Sequence, residues 1–291
     1  MANLKEIRIR IASVRSTQKI TSAMKMVSAA KLRRAQVAIQ KLRPFANKLN
    51  GILFNITTEE SENNPLAQIR PVENVIIILI ASNKGLCGGF NNTIIKECEL
   101  LLKTQYASLH QNGKVQFIGV GKRISEYLKA RKYPVLGFYD EFTANPSFDN
   151  ISNLAEELMN KFTRKEVDKV IIIYNEFKNA ATQILTNKQY LPIQSNDKYV
   201  SDVKNIDYIF EPAKTDLYKL LIPKAMKTEL YKAVLDSIAS EHGARMTAMH
   251  KATENADELV KELNLTYNKV RQSSITNEII EIVSGAEALN G

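Results

Sequence analysis

The sequence predicts an α/β protein in which a long antiparallel coiled coil, built from the N- and C-terminal segments, carries a small doubly wound (Rossmann-like) α/β domain. Three observations predict it: an N-terminal segment and a C-terminal segment that each lack helix breakers and carry apolar residues at alternating intervals of three and four, and a middle in which short apolar runs alternate with helical patterns. The expected division is 1–56 for the first helix, 70–210 for the globular domain and 211–291 for the second helix.

No proline precedes Pro44 and Gly51 is the only glycine before Gly85, so nothing interrupts a first helix until near its end. Its stripe begins with Leu4, Ile7, Ile11 and Val14 and resumes as Leu32, Ala35, Ile39, Leu42, Ala46, Leu49, Leu53 and Ile56. Between Thr17 and Ala30 the stripe blurs, and Pro44 is a place for a bend.

From Lys224 onward there is again no proline, and Leu235, Ile238, His242, Arg245, Met249, Ala252, Ala256, Leu259, Leu263, Thr266 and Val270 repeat the interval. At a rise of about 1.5 Å per residue the second rod reaches about 100 Å and the first about 80 Å, lengths that project from any compact domain. Paired antiparallel, the second overhangs by roughly 20 Å. The overhang carries Ile275, Ile279, Ile280, Ile282, Val283 and Leu289, more apolar surface than a lone solvated helix keeps, so another protein should enclose it.

In the middle, Val75–Ala81, Val115–Val120 and Val170–Tyr174 read as strands and Thr93–Gln105, Lys122–Lys132 and Ile151–Phe162 as helices. Ala181–Leu185 with Tyr190–Ile193 suits a hairpin at the sheet edge, and the polar stretch Ser195–Ser201 reads as a loop.

Charge is distributed unevenly. Residues 1–43 hold eleven Lys or Arg against Glu6 alone, whereas 272–291 hold Glu278, Glu281 and Glu287 and no base. The basic end calls for an acidic partner. The longest apolar run, Val75–Ala81, is far short of the roughly 20 residues that cross a bilayer, so membrane association is expected through partners and not by insertion. With only Cys87 and Cys98, and an N-terminal pattern that continues past residue 50 where a cleavable leader would stop, a reducing compartment is expected.

Several stretches resemble one family. They are Ile11–Thr21 (IASVRSTQKIT) with Ala23–Val27 (AMKMV), Gly85–Asn91 (GLCGGFN), Ser240–Met246 (SEHGARM) and Tyr267–Glu278 (YNKVRQSSITNE). In this order they resemble the γ subunit of bacterial-type rotary ATP synthases, whereas residues 121–212 carry no motif of that kind. The resemblance implies a non-catalytic central shaft whose rotation inside a hexamer of alpha and beta subunits couples ion flow through the membrane ring to ATP synthesis or hydrolysis. It also implies one copy per complex, an ε subunit and a c-ring as further partners, and a peripheral position on the cytoplasmic side of a bacterial plasma membrane. By the same resemblance Met24, Lys25, Arg245, Arg271, Gln272, Thr276 and Glu278 are alpha/beta contacts, and Tyr208 and Glu211 are ring and ε contacts. Lys25 departs from the pattern, since many relatives carry an acid there.

Other readings are weaker. The glycine loop after Val75–Ala81 lacks a Gly-Lys-Ser/Thr end and a G-x-G-x-x-G spacing, so it reads as a tight turn and not a phosphate cradle. His110, His242 and His250 are not joined by acids or cysteines at metal-ligand spacing, and no nucleophile elbow or carboxylate dyad is recognisable; no catalytic, cofactor or metal residue is assigned. The basic helix could serve a nucleic-acid or scaffold protein, but Phe45 is the only aromatic among the first 50 residues and the acidic tail would repel phosphate.

Overall fold

The computed structural model describes residues 4–60, 64–193 and 214–290. Along the chain these form α1 (Leu4–Glu60), β1 (Val75–Ile80), α2 (Phe90–Lys103), α3 (Ala107–Gln111), β2 (Val115–Val120), α4 (Lys122–Ala130) and β3 (Val135–Phe138). There follow α5 (Glu141–Ala144), α6 (Phe148–Thr163), β4 (Lys169–Phe177), β5 (Gln183–Leu191) and α7 (Lys214–Asn290). Two compact units divide them, one of Met1–Val27 with Met246–Gly291 and the other of Ser28–Arg245.

Both long helices run through an internal proline. α7 begins ten residues before Lys224 and contains Pro223, and α1 runs through Pro44 to Glu60. A proline inside a helix removes one backbone hydrogen bond at a cost of about 3 kcal/mol. Buried neighbours hold the backbone through the break: Ile39, Ala46 and Leu49 around Pro44, and Ile222, Ala225 and Met226 around Pro223.

In the smaller unit the pairing is antiparallel and in register. Arg8 meets Tyr267, Gln18 meets Asp257, Thr21 meets Thr253 and Lys25 meets His250, so that each pair of numbers adds to 274 or 275. An apolar cluster of Ile7, Ile11 and Leu263, flanked by Val14, Leu259, Tyr267 and Val270, closes this end. The blurred stretch of α1 has a physical explanation here, because its seam is hydrogen-bonded. Thr21 and Thr253 hydroxyls lie 2.8 Å apart and the Gln18 amide donates to the Asp257 carboxylate at 2.5 Å. Thr266, expected in the seam, is exposed, and Tyr267 packs in its stead. Leu53, Ile56 and Leu289 have side chains outside the described set.

The larger unit holds a five-stranded sheet of order β3-β2-β1-β4-β5, parallel except for the β4–β5 pair. Val75–Ile80 is buried along its whole length, as befits a central strand covered on both faces. By the two-residue alternation of a strand, Val75, Ile77 and Leu79 enter one cluster with Phe90 and Ile94 of α2 and Ile124 and Leu128 of α4. The opposite face is covered by the long helices themselves: Ile172 and Tyr174 of β4 line a cavity of about 40 Å³ with Ala46 and Leu49 of α1 and Ala225, Thr228, Glu229, Lys232 and Ala233 of α7. Within the larger unit, the segments of α1 and α7 that belong to it therefore form a layer over the sheet.

The edge of the sheet also differs from expectation. Instead of a separate hairpin over 181–193, one strand, β5, spans Gln183–Leu191 and pairs antiparallel with β4. Its polar centre, Thr186 to Gln189, resembles a turn only because an edge strand keeps residues partly in water. Gly121 joins β2 to α4 at φ +101°, where an added Cβ would lie 2.2 Å from the Ala81 carbonyl oxygen.

Candidate functional site

The motif Ser240–Met246 binds α7 to the glycine-rich loop. Arg245 is buried and donates from Nη2 to the Lys84 carbonyl at 2.7 Å, from Nε to the Gly85 carbonyl at 3.2 Å, and from Nη1 to Glu241 Oε1 at 2.7 Å. The Glu241 pair follows from the i,i+4 spacing of a helix face, and only a guanidinium fork can serve all three acceptors. One turn earlier the Ser237 hydroxyl donates to the Ile80 carbonyl at 3.3 Å. Gly243 lets α7 approach the β4–β5 turn, where a Cβ would meet the Ala180 oxygen at 3.1 Å.

The loop itself is shaped by positive φ at Leu86 and Gly88, with Asn91 Oδ1 accepting from the backbone and hydroxyl of Ser82. Doubly wound domains bind anions at such loops with backbone N–H groups. Here the loop turns carbonyls onto an arginine, the opposite polarity. Cys87 and Cys98 are buried, and burial followed by the charges of Glu99 and Glu97 pushes the Cys98 thiol up to about 12.

The remaining sequence-derived contacts fall into separate groups. Met24 and Lys25 are half-buried on α1, with Lys25 Nζ 3.2 Å from His250 Nδ1, and Met26 and Val27 beside them are exposed. Arg271, Gln272, Thr276 and Glu278 are exposed near the end of α7. There the Thr276 hydroxyl donates to the Gln272 carbonyl at 2.9 Å and the Ser274 hydroxyl to Glu278 Oε1 at 3.3 Å. Arg245 stands apart from both groups, inside the larger unit. Tyr208 and Glu211, like the loop over 195–201, lie outside the described residues.

Beyond Val270 the end of α7 has no apolar cover: every residue from Arg271 to Glu287 except Ser274 is exposed, including Ile275, Ile279, Ile280, Ile282 and Val283. At about 100° per residue, 275, 279, 282 and 283 share a face and 280 flanks it. Alternating with them are the polar side chains named above, so one helix end offers apolar surface and hydrogen-bonding groups together.

The sequence reading missed Glu241, although its spacing to Arg245 was legible, and it missed Asp236, which lies buried at 0% exposure. Burial pushes the Asp236 carboxyl up to about 6 against the lowering effect of Lys232 and Arg43, with Glu176 adding to the rise. Burial also raises Glu241 while Arg245 opposes it. His242 is driven down to about 4 by burial and then by the charges of Arg245 and Lys31. Among the described residues no group of three or more His, Cys, Asp or Glu could hold a metal ion.

A pair of long helices running antiparallel, a doubly wound sheet domain and a helix end that is exposed and apolar define the class as an α/β structural protein. The chain belongs to the ATP synthase family, as a gamma chain: the family's profile matches residues 3–289. It is 51% identical to the ATP synthase gamma chain of Christiangramia forsetii over 293 residues, covering all of both chains. Among solved structures it is similar to a chain of the Tetrahymena thermophila mitochondrial ATP synthase central stalk and c-ring, with 26% identity and a TM-score of 0.57 over 80% of this chain and 99% of that one. A chain of the Euglena gracilis mitochondrial ATP synthase, in a structure of OSCP, F1 and c-ring, shares the fold at 20% identity with a TM-score of 0.67, over 98% of this chain and 94% of that one. The chain is thus a non-catalytic subunit of the central stalk, with catalysis at the beta subunits of the complex, and the nucleic-acid and scaffold readings find no support among these relatives.

Proposed function

We propose that this gamma chain is the rotor shaft that turns inside an alpha/beta hexamer, one copy per complex, with the ε subunit and the c-ring as its other partners. The observation that carries the proposal is the bare end of α7, where five large apolar side chains stay exposed beyond the paired seam. In water that surface is unfavourable by roughly 25 cal/mol per Å², and a surrounding sleeve removes it. A shaft without threefold symmetry presents a different face to each of three like sites, so its angle biases their affinities through a rigid element.

Within that reading, Arg271, Gln272, Thr276 and Glu278 touch the hexamer near the end of α7, and Met24 and Lys25 touch it from α1. Arg245 acts from inside, by fixing α7 to the glycine loop, and Tyr208 and Glu211 meet the ring and ε. The working parts are the helix 1–56, the domain 70–210 and the helix 211–291. No described helix is long and apolar enough to cross a membrane, and we place the complex on the cytoplasmic face of a bacterial plasma membrane, held there by the ring.

The test has two arms. Pull-down of the tagged chain from gently solubilised membranes should bring alpha, beta and ε with ATPase activity that the isolated chain lacks. Complexes carrying Arg271→Ala with Gln272→Ala should pump fewer ions per ATP hydrolysed; unchanged turnover together with unchanged pumping would remove these two residues from the contact.

A further inference from the structure

One buried charge in the larger unit has no place in the anchor or the contact surface. Asp236 of α7 is fully buried, and neither carboxylate oxygen has a hydrogen-bond partner. The nearest cation, Arg43 Nη2 of α1, is 3.9 Å from Oδ1, beyond hydrogen-bond reach, and the Arg43 side chain is 47% exposed. The other charges that act on the carboxyl are Lys232, one turn away on the same helix, and Glu176 at the end of β4, which repels it. An ionised carboxylate held in this way is unsolvated, lacks hydrogen bonds and has only a loose ion pair at 3.9 Å, a state that proteins relieve by taking up a proton or by drawing the partner closer.

The partner that could move stands at a weak point. Arg43 directly precedes Pro44, where α1 lacks a backbone hydrogen bond and where helices bend most readily. We propose that Asp236 is a proton-binding site that latches α1 to α7 at the Pro44 break: ionised, it draws the Arg43 guanidinium in to direct contact; protonated, it releases it. The step balances simply, since one proton passes between solvent and the carboxyl and one ion pair forms or opens. The rise of the Asp236 carboxyl to about 6 sets where on the pH scale the exchange falls. The inference concerns the chain alone and stands or falls independently of its partners in the complex.

The experiment is a carbon-13 and nitrogen-15 NMR titration of the full chain between pH 4 and 8. The Asp236 carboxyl carbon should titrate near pH 6, and the backbone amides of residues 40–46 should shift with the same midpoint. Asp236→Asn should remove the carboxyl signal and leave those amides unresponsive. Arg43→Gln should raise the carboxyl midpoint, because it removes a charge that favours ionisation, and this variant keeps the test open if Asp236→Asn does not fold. A carboxyl that titrates below pH 4.5, an unmoved midpoint in Arg43→Gln, or amides that ignore the titration would each overturn the latch.

Discussion

Replacing Arg245 by alanine tests the anchor of α7 most directly. The substitution leaves Glu241, 6% exposed, as a buried carboxylate without its cation, and strips the Lys84 and Gly85 carbonyls of their donor. Breaking a buried ion pair on one side costs about 3–5 kcal/mol, most of it for the charge left behind. Each neutral acceptor left dry adds roughly 1 kcal/mol where water cannot reach it. Urea unfolding of the full chain at pH 8 should therefore show Arg245→Ala destabilised by about 5–7 kcal/mol if both carbonyls stay dry, and by about 3–5 kcal/mol if water reaches them. Arg245→Lys should recover part of that, since an ammonium restores the charge but not the fork. The double variant Arg245→Ala with Glu241→Ala should be less damaged than the single, by about 1–3 kcal/mol. A second readout is local: the His242 ring, held at about 4 partly by the Arg245 charge, should titrate at a higher pH in Arg245→Ala. A loss below about 1 kcal/mol with His242 unmoved would mean that Arg245 neither bears the Glu241 charge nor fixes the loop.

Further outcomes follow from other contacts. Gly121→Ala should lower stability by several kcal/mol and reduce soluble yield, because φ is +101° and the new methyl would collide with the Ala81 carbonyl at 2.2 Å; circular dichroism melts check this. Thr21→Val should cost less than about 1 kcal/mol, because the Thr253 hydroxyl keeps its bond to the Met249 carbonyl at 2.8 Å, and a double-mutant cycle with Thr253→Val should read a coupling of about 0.5 kcal/mol between the two hydroxyls. Two buried groups push the pH dependence of stability in opposite directions. Asp236 has a raised folded value, so its contribution is fully present below 3.8 and is lost as pH rises through about 6. His242 has a depressed folded value, so its contribution is present above 6.5 and is lost as pH falls to about 4. Asp236→Asn should therefore make stability rise more steeply with pH between 4 and 6.5, and His242→Gln should make it fall with pH; urea midpoints measured across that window decide.

Much of the candidate site was legible in the residues. The motif Tyr267–Glu278 and the isoleucines around it fall on the end of α7 where apolar and polar side chains are exposed together. Glu241 and Arg245 stand at the i,i+4 spacing that makes a helical ion pair, so their pairing needed no tertiary information. Their burial did, because it depends on the glycine loop, 160 residues away in the chain, turning its carbonyls toward the helix. Asp236 carried no local signal: one acid on a helix looks solvated until α1 and the sheet close over it.

The sequence alone determined the two long helices, their alternating seam, the parallel strands and the basic and acidic ends, because periodicity and the lack of breakers are local properties of a chain. Tertiary structure decided what those helices cover. Packing on Ile172 and Tyr174 makes them the second layer of the sheet, and the same packing carries each helix through an internal proline that local rules treat as a stop. It also decided that the seam between Gln18 and Lys25 is polar, since a hydrogen bond between Thr21 and Thr253 joins residues 232 positions apart that no periodicity relates.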